Sequence, residues 1–168
     1  MKSARKITVP ALSAACAALL LWASSVLPTG QLGFAAAASL FVAAASLEIG
    51  IGGGLACYVV AAVLGFLLAA DKAAVLLFAL FFGYYPAIKL AAEKWKNRVL
   101  CWAAKLAVMN AAFSAFLFAL DFTFFKIPTE GIWIPVLYAA GNAVFLLFDY
   151  GLTKLMRLYL YRRPHSSR

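Results

Sequence analysis

Along this chain, apolar runs of about 20 residues end again and again in a short break of polar residues, glycine or proline, and within the runs apolar and polar positions do not alternate. The period-two signature of a half-buried strand is therefore missing, while the run length matches what an α-helix needs to cross a hydrocarbon layer. The pattern predicts helices at about 9–27, 33–49, 51–70, 73–92, 99–120 and 132–159, with only short turns and tails between them. The expected fold is all-α: a single polytopic membrane domain over 1–168, built as a bundle of six transmembrane helices. Such a chain has no room for a separate soluble catalytic or nucleotide-binding domain.

Composition agrees with the pattern. Hydrophobic residues make up 66% of the 168 residues and charged residues only 12%, with a mean hydropathy of +0.94, outside the range of an ordinary water-soluble core and surface. Lipid offers exposed backbone amides no partners, so the spanning elements must satisfy their own hydrogen bonds, and the runs are too long and too uniform for barrel strands.

The charges orient the bundle. If successive breaks face opposite sides, all but Lys72 and Lys126 of the 15 lysines and arginines fall on one side. They lie before the first run (Lys2, Arg5, Lys6), around the fourth break (Lys89, Lys94, Lys96, Arg98, Lys105) and after the last run (Lys154, Arg157, Arg162, Arg163, Arg168). The positive-inside rule then places both termini in the cytoplasm of a multi-pass cell-membrane protein. The stretch FFGYYPAIKLAAEKWKNR (Phe81–Arg98) reads as an exit from lipid, with tyrosines at the interface and lysines among anionic headgroups. The net charge of +9 is thus a topology signal whose partner is the bilayer. It is not a nucleic-acid footprint, because the cations are divided among three membrane-adjacent segments without an aromatic-interleaved platform.

The N-terminal run resembles a secretory signal, with a basic start and small residues at its end, but it is long enough to span and is expected to be retained. Cys16, Cys57 and Cys101 lack the spacing of a disulfide framework or zinc site, and no metal or other cofactor is expected. His165 is the lone histidine and lies in the tail; HExxH and GxSxG are absent, so the chain is not expected to be an enzyme. Two breakers have local meanings. Pro86 is expected to kink the fourth helix about one turn before its end, and Gly50, Gly52, Gly53 and Gly54 in EIGIGGGL to make the tight turn between the second and third.

Side chains that carry chemistry fall into three groups. Alanines four apart on the first helix, Ala11 with Ala15 and Ala14 with Ala18, form a flat ridge for another helix in this chain or in a partner. Glu48, Lys89, Lys105 and Asp149 lie in the cytoplasmic third, where charge is costly. Lys105 is expected to pair with Asp149, and Glu48 with Lys89, as helix-fixing pairs or as a proton or anion relay. Toward the outer side, Trp22, Ser25, Gln31, Asp121 and Trp133, with Asn110 and Asn142 nearer mid-membrane, are a candidate substrate pocket or an ordinary wet rim. The outer segment DFTFFKIPTEGIW is apolar enough to cover such a cavity as a lid.

Six helices, both ends inside, and the ridge Ala11-Leu-Ser-Ala-Ala15 together resemble the substrate-binding S component of energy-coupling-factor (ECF) transporters. The glycine-rich turn of EIGIGGGLACYVVAAVLG is similar as well. The resemblance implies that Ala11 and Ala15 contact a transmembrane coupling subunit, which two ATPase subunits energise. It also implies a small-molecule solute, a vitamin or other micronutrient, bound near the outer face and capped by the loop Leu27–Phe34. The same topology is similar to that of a non-transporting six-helix envelope scaffold of the MreD type, and a standalone carrier using Lys105 and Asp149 is a third possibility.

Overall fold

The computed structural model describes residues 2–27, 30–93, 98–123 and 133–162. In order, these form α1 (Lys2–Val26), α2 (Gln31–Ile49), α3 (Ile51–Leu68), α4 (Ala73–Leu77), a π-helical turn (Phe78–Phe82), α5 (Tyr85–Ala92), α6 (Arg98–Thr123) and α7 (Trp133–Arg162). Among the described residues all regular structure is helical. Five segments are long and apolar enough to cross a membrane: Lys6–Val26, Gln31–Ile49, Ile51–Leu68, Ala73–Ala92 and Pro135–Tyr161. The remaining expected span lies in α6, where the described apolar stretch is Val99–Ala115.

The distribution of side chains is that of a bundle in lipid. Large apolar residues such as Leu12, Leu19, Val63, Leu67 and Leu147 point outward. The interior of α1, α2 and α3 is rich in small ones, including Ala14, Ala17, Ala35, Ala38, Ala45 and Ala61, beside a few larger residues such as Leu21 and Val42. Lipid tails are as apolar as leucine, so sequestering leucines gains little, whereas small side chains let backbones approach and maximise van der Waals contact. α1 packs on α2 and α3 in this way, and α2 is the centre, touching α1, α3, α4, α5 and α7.

A single residue joins α2 to α3. Gly50 adopts φ 97° and ψ −176°, a backbone conformation strained for any residue with a Cβ, and its N–H bonds Ser46 O at 2.9 Å. The tight glycine turn is confined to Gly50. Gly52, Gly53 and Gly54 already lie within α3, because the reversal needs only one left-handed residue. Gly54 instead permits contact, since a Cβ there would overlap Ser46 Oγ on α2.

The fourth span departs from the expected single helix kinked at Pro86. It runs as α4, widens into the π turn with Gly83 N–H bonding Phe78 O at 2.7 Å, bends at Gly83 and Tyr84, and restarts as α5. Pro86 sits at the start of α5, not inside a kinked helix. Proline has no N–H and its ring clashes with the carbonyl four residues back, so the chain relaxes before it and uses it where a missing donor costs nothing. From α3, Tyr58 Oη donates to Ala79 O at 2.9 Å and its ring packs on Phe78 and Tyr84, which fixes the irregular segment.

Asp71 and Lys72 are spent on helix ends. Asp71 Oδ1 accepts from Ala73 N–H at 2.9 Å at the start of α4, and Lys72 Nζ donates to Phe66 O and Ala69 O at the end of α3. These are the backbone groups a helix leaves unpartnered.

Candidate functional site

The buried face of α7 carries three layers in succession. Asn142 comes first, then Phe145 and Phe148, and then Asp149 with Thr153. Each layer meets different partners.

In the first layer, Asn142 Nδ2 donates to Asn110 Oδ1 at 3.1 Å and to Tyr138 O at 2.8 Å. Ser114 Oγ bonds Asn110 O at 2.9 Å and shares a hydrogen bond with Tyr138 Oη at 2.7 Å. Asn110 and Asn142 thus bridge α6 and α7. Asn142 Oδ1 is buried without a hydrogen-bond partner among the described residues.

Beside this ladder is an apolar cavity of about 100 Å³. Phe81 and Phe82 of the π turn, Met109 and Phe113 of α6, Gly141, Phe145 and Phe148 of α7, and Leu32 of α2 line it. The π turn is what points two adjacent phenylalanines into it. The wall is held by edge-to-face contacts of Phe82 with Phe148 at 4.7 Å and Phe81 with Phe113 at 5.7 Å, geometries that aromatic quadrupoles favour.

Below the aromatic floor lies the ion cluster. Tyr85 packs edge-on against Phe145 at 5.0 Å and donates to Asp149 Oδ1. Lys89 Nζ, 1% exposed, donates to the same Oδ1 and to Thr153 Oγ1 at 2.7 Å. Thr153 Oγ1 in turn bonds Asp149 O at 2.6 Å. Lys105 Nζ of α6 stands 3.5 Å from Asp149 Oδ1. Glu93, just past α5, completes the set at 3.3 Å from Lys89 and 3.7 Å from Lys105. Two cations and two carboxylates compensate one another while tying α5, α6 and α7 together. Buried charges persist only when paired in this way.

The structure sorts the sequence-derived residues. Lys105 and Asp149 meet as expected, but Lys89 is directed at Asp149 and Glu93 rather than Glu48. Glu48 accepts from Tyr159 Oη at 2.6 Å, at the edge of a second cavity of about 170 Å³ between α2 and α7. Tyr85, expected at the membrane interface, is instead buried and donates to Asp149, while Glu93 and Thr153 carry no sequence-derived role. The four-residue spacing of Lys89 and Glu93 was the available signal.

The expected pocket is divided. Asn110 and Asn142 come together, whereas Gln31 Nε2 bonds Asp71 Oδ2. Ser25 Oγ bonds Trp22 O at 2.6 Å within its own helix, and Trp22 is exposed. The side chains of Asp121 and Trp133, most of the expected lid and, in the expected cap Leu27–Phe34, Pro28 and Thr29 lie outside the described residues.

The alanine ridge divides too. Ala14 and Ala18 are buried inside this chain, so they are not open to a partner, because α2 and α3 already occupy that face. Ala11 and Ala15 are exposed beside Leu12 and Leu19. Cys16, Cys57 and Cys101 are free thiols, and among the described residues no three metal-ligating side chains converge.

No protein-family model, curated protein or solved structure matches this chain.

Proposed function

We propose that this membrane protein is a small-solute-binding subunit of the ECF S-component type, with both termini and the basic break after α5 in the cytoplasm. The observation that carries this reading is the aromatic cavity beside the broken fourth span. Interrupted spans and π turns recur where membrane proteins bind solutes, because backbone irregularity is tolerated at membrane depth only against protein or a cavity. In the proposed orientation the cavity lies in the outer half of the bilayer, open to a solute with an apolar or aromatic part. The unoccupied α1 face at Ala11 and Ala15 supplies the docking ridge for a coupling subunit. Ala14 and Ala18 have no part in it.

Native mass spectrometry of gently extracted protein tests both halves. A retained small molecule should disappear in Gly141→Leu, because a Cβ at Gly141 already comes within 3.1 Å of Phe113 and a longer side chain fills the cavity. Copurifying coupling and ATPase subunits should be lost in Ala11→Leu or Ala15→Leu while the chain still folds. Extraction of the bare chain, with neither a solute nor these subunits, sinks the proposal.

The ion cluster favours a second reading, a standalone carrier in which Asp149 exchanges partners between Lys89 and Lys105. That reading requires pH-dependent uptake by reconstituted protein alone, abolished by Asp149→Asn. The S-component reading requires the ATPases.

A further inference from the structure

One cation of the buried cluster is incompletely answered. Lys105 is 4% exposed, yet its ammonium lies 3.5 Å from Asp149 Oδ1 and 3.7 Å from Glu93 Oε1, beyond the ~2.7–2.9 Å of a charge-assisted hydrogen bond. An ammonium carries three donors, and among the described residues Lys105 has besides these only the Trp102 ring, 5.4 Å away. Asp149 Oδ1 cannot readily turn to it, since that oxygen already accepts from Tyr85 and Lys89. The two carboxylates also differ in how firmly they are held. Asp149 is enclosed, whereas the Glu93 side chain is 46% exposed and makes only ion-pair contacts with the lysines.

Charge counting defines what fits. With Glu93 turned to solvent, Lys89 and Lys105 exceed Asp149 by one positive charge, so a single negative charge delivered beside Lys105 restores neutrality. The approach is amphipathic. Leu100 and Trp102, on the same helix as Lys105, are exposed, and in sequence Lys94 and Lys96 precede that helix and Arg98 opens it. Lysine binds phosphate well as a point charge, and a cationic segment flanked by lipid-facing apolar side chains suits the headgroup layer.

We propose that Lys105, backed by Lys89, forms a binding site for a phosphate group, carried by an anionic phospholipid or free in solution, and that the Glu93 carboxylate is its displaceable internal stand-in. This site is separate from the aromatic cavity and does not depend on the S-component reading.

The test uses the full chain in nanodiscs. In one arm, phosphatidylcholine discs are titrated with inorganic phosphate at an ionic strength held constant with chloride. In the other, phosphatidylglycerol replaces part of the phosphatidylcholine in phosphate-free buffer. Saturable thermal stabilisation is expected in at least one arm. A response to phosphatidylglycerol alone identifies a headgroup, and a response to inorganic phosphate identifies a free anion. Glu93→Gln, which removes the competing charge from a half-exposed position, should tighten the response about tenfold. Lys105→Gln should abolish it. The proposal is overturned if neither arm stabilises the protein, if Glu93→Gln leaves the midpoint unchanged, or if Lys105→Gln responds like the parent chain. Should Lys105→Gln not fold, the Glu93→Gln comparison decides alone.

Discussion

The two halves of this molecule solve the same problem differently. Among the described residues, α1, α2 and α3 associate largely through small side chains, with Gly54 letting α3 approach Ser46 of α2 closely. α5, α6 and α7 are held by an ion cluster, an asparagine bridge and packed phenylalanines. In lipid, where apolar area alone does not drive helices together, both solutions work. They differ in what they permit. Tight small-residue packing is rigid and chemically inert, whereas polar partners can be exchanged, and it is the polar half that encloses the aromatic cavity.

The comparison fails if its two halves respond alike to substitution. The largest effect is expected for Asp149→Leu, which strands Lys89 and Lys105 in the interior and should cost about 3–5 kcal/mol. Adding Lys89→Met should return a substantial part of that loss, measured as thermal or denaturant stability in detergent. Strict additivity would mean that the cluster is not one unit. In the other half, Ala14→Leu should cost about 1–3 kcal/mol by overpacking. Ala11→Leu, one turn away on the exposed face, should stay within about 0.5 kcal/mol. Equal losses at the two alanines would contradict the division of the ridge. In the polar half a smaller effect than that of Asp149→Leu is expected for Asn142→Leu, about 1 kcal/mol, since membrane-embedded hydrogen bonds contribute modestly and its Oδ1 has no partner among the described residues. A loss as large as that of Asp149→Leu would place the bridge, not the ions, at the centre of this half.

How much of this was legible beforehand follows from local register. Run length and charge gave the helices and their approximate ends, because lipid imposes both. Lys105 and Asp149 could be paired from matching depths on neighbouring helices. The partner of Lys89 could not. A continuous helix over 73–92 would aim Lys89 elsewhere, but the π turn adds a residue to one turn and rotates everything after it by roughly a quarter turn. The bend at Gly83 and Tyr84 redirects it further. Proline was visible in the sequence; where the chain would relax to accommodate it was not, since that depends on Tyr58 reaching across from α3. The cavity was hidden for the same reason, its two phenylalanines being presented by the widened turn. Which of four alanines faces outward likewise depends on where α2 and α3 settle.

The one-residue reversal at Gly50 has a mechanical corollary. Two helices tethered so closely, with a side-chain hydroxyl wedged where a Cβ would stand, cannot shear past one another or splay at that end. They act as a single stiff lever. Relative motion is therefore left to the seams that this lever shares with α1, the interrupted fourth span and α7.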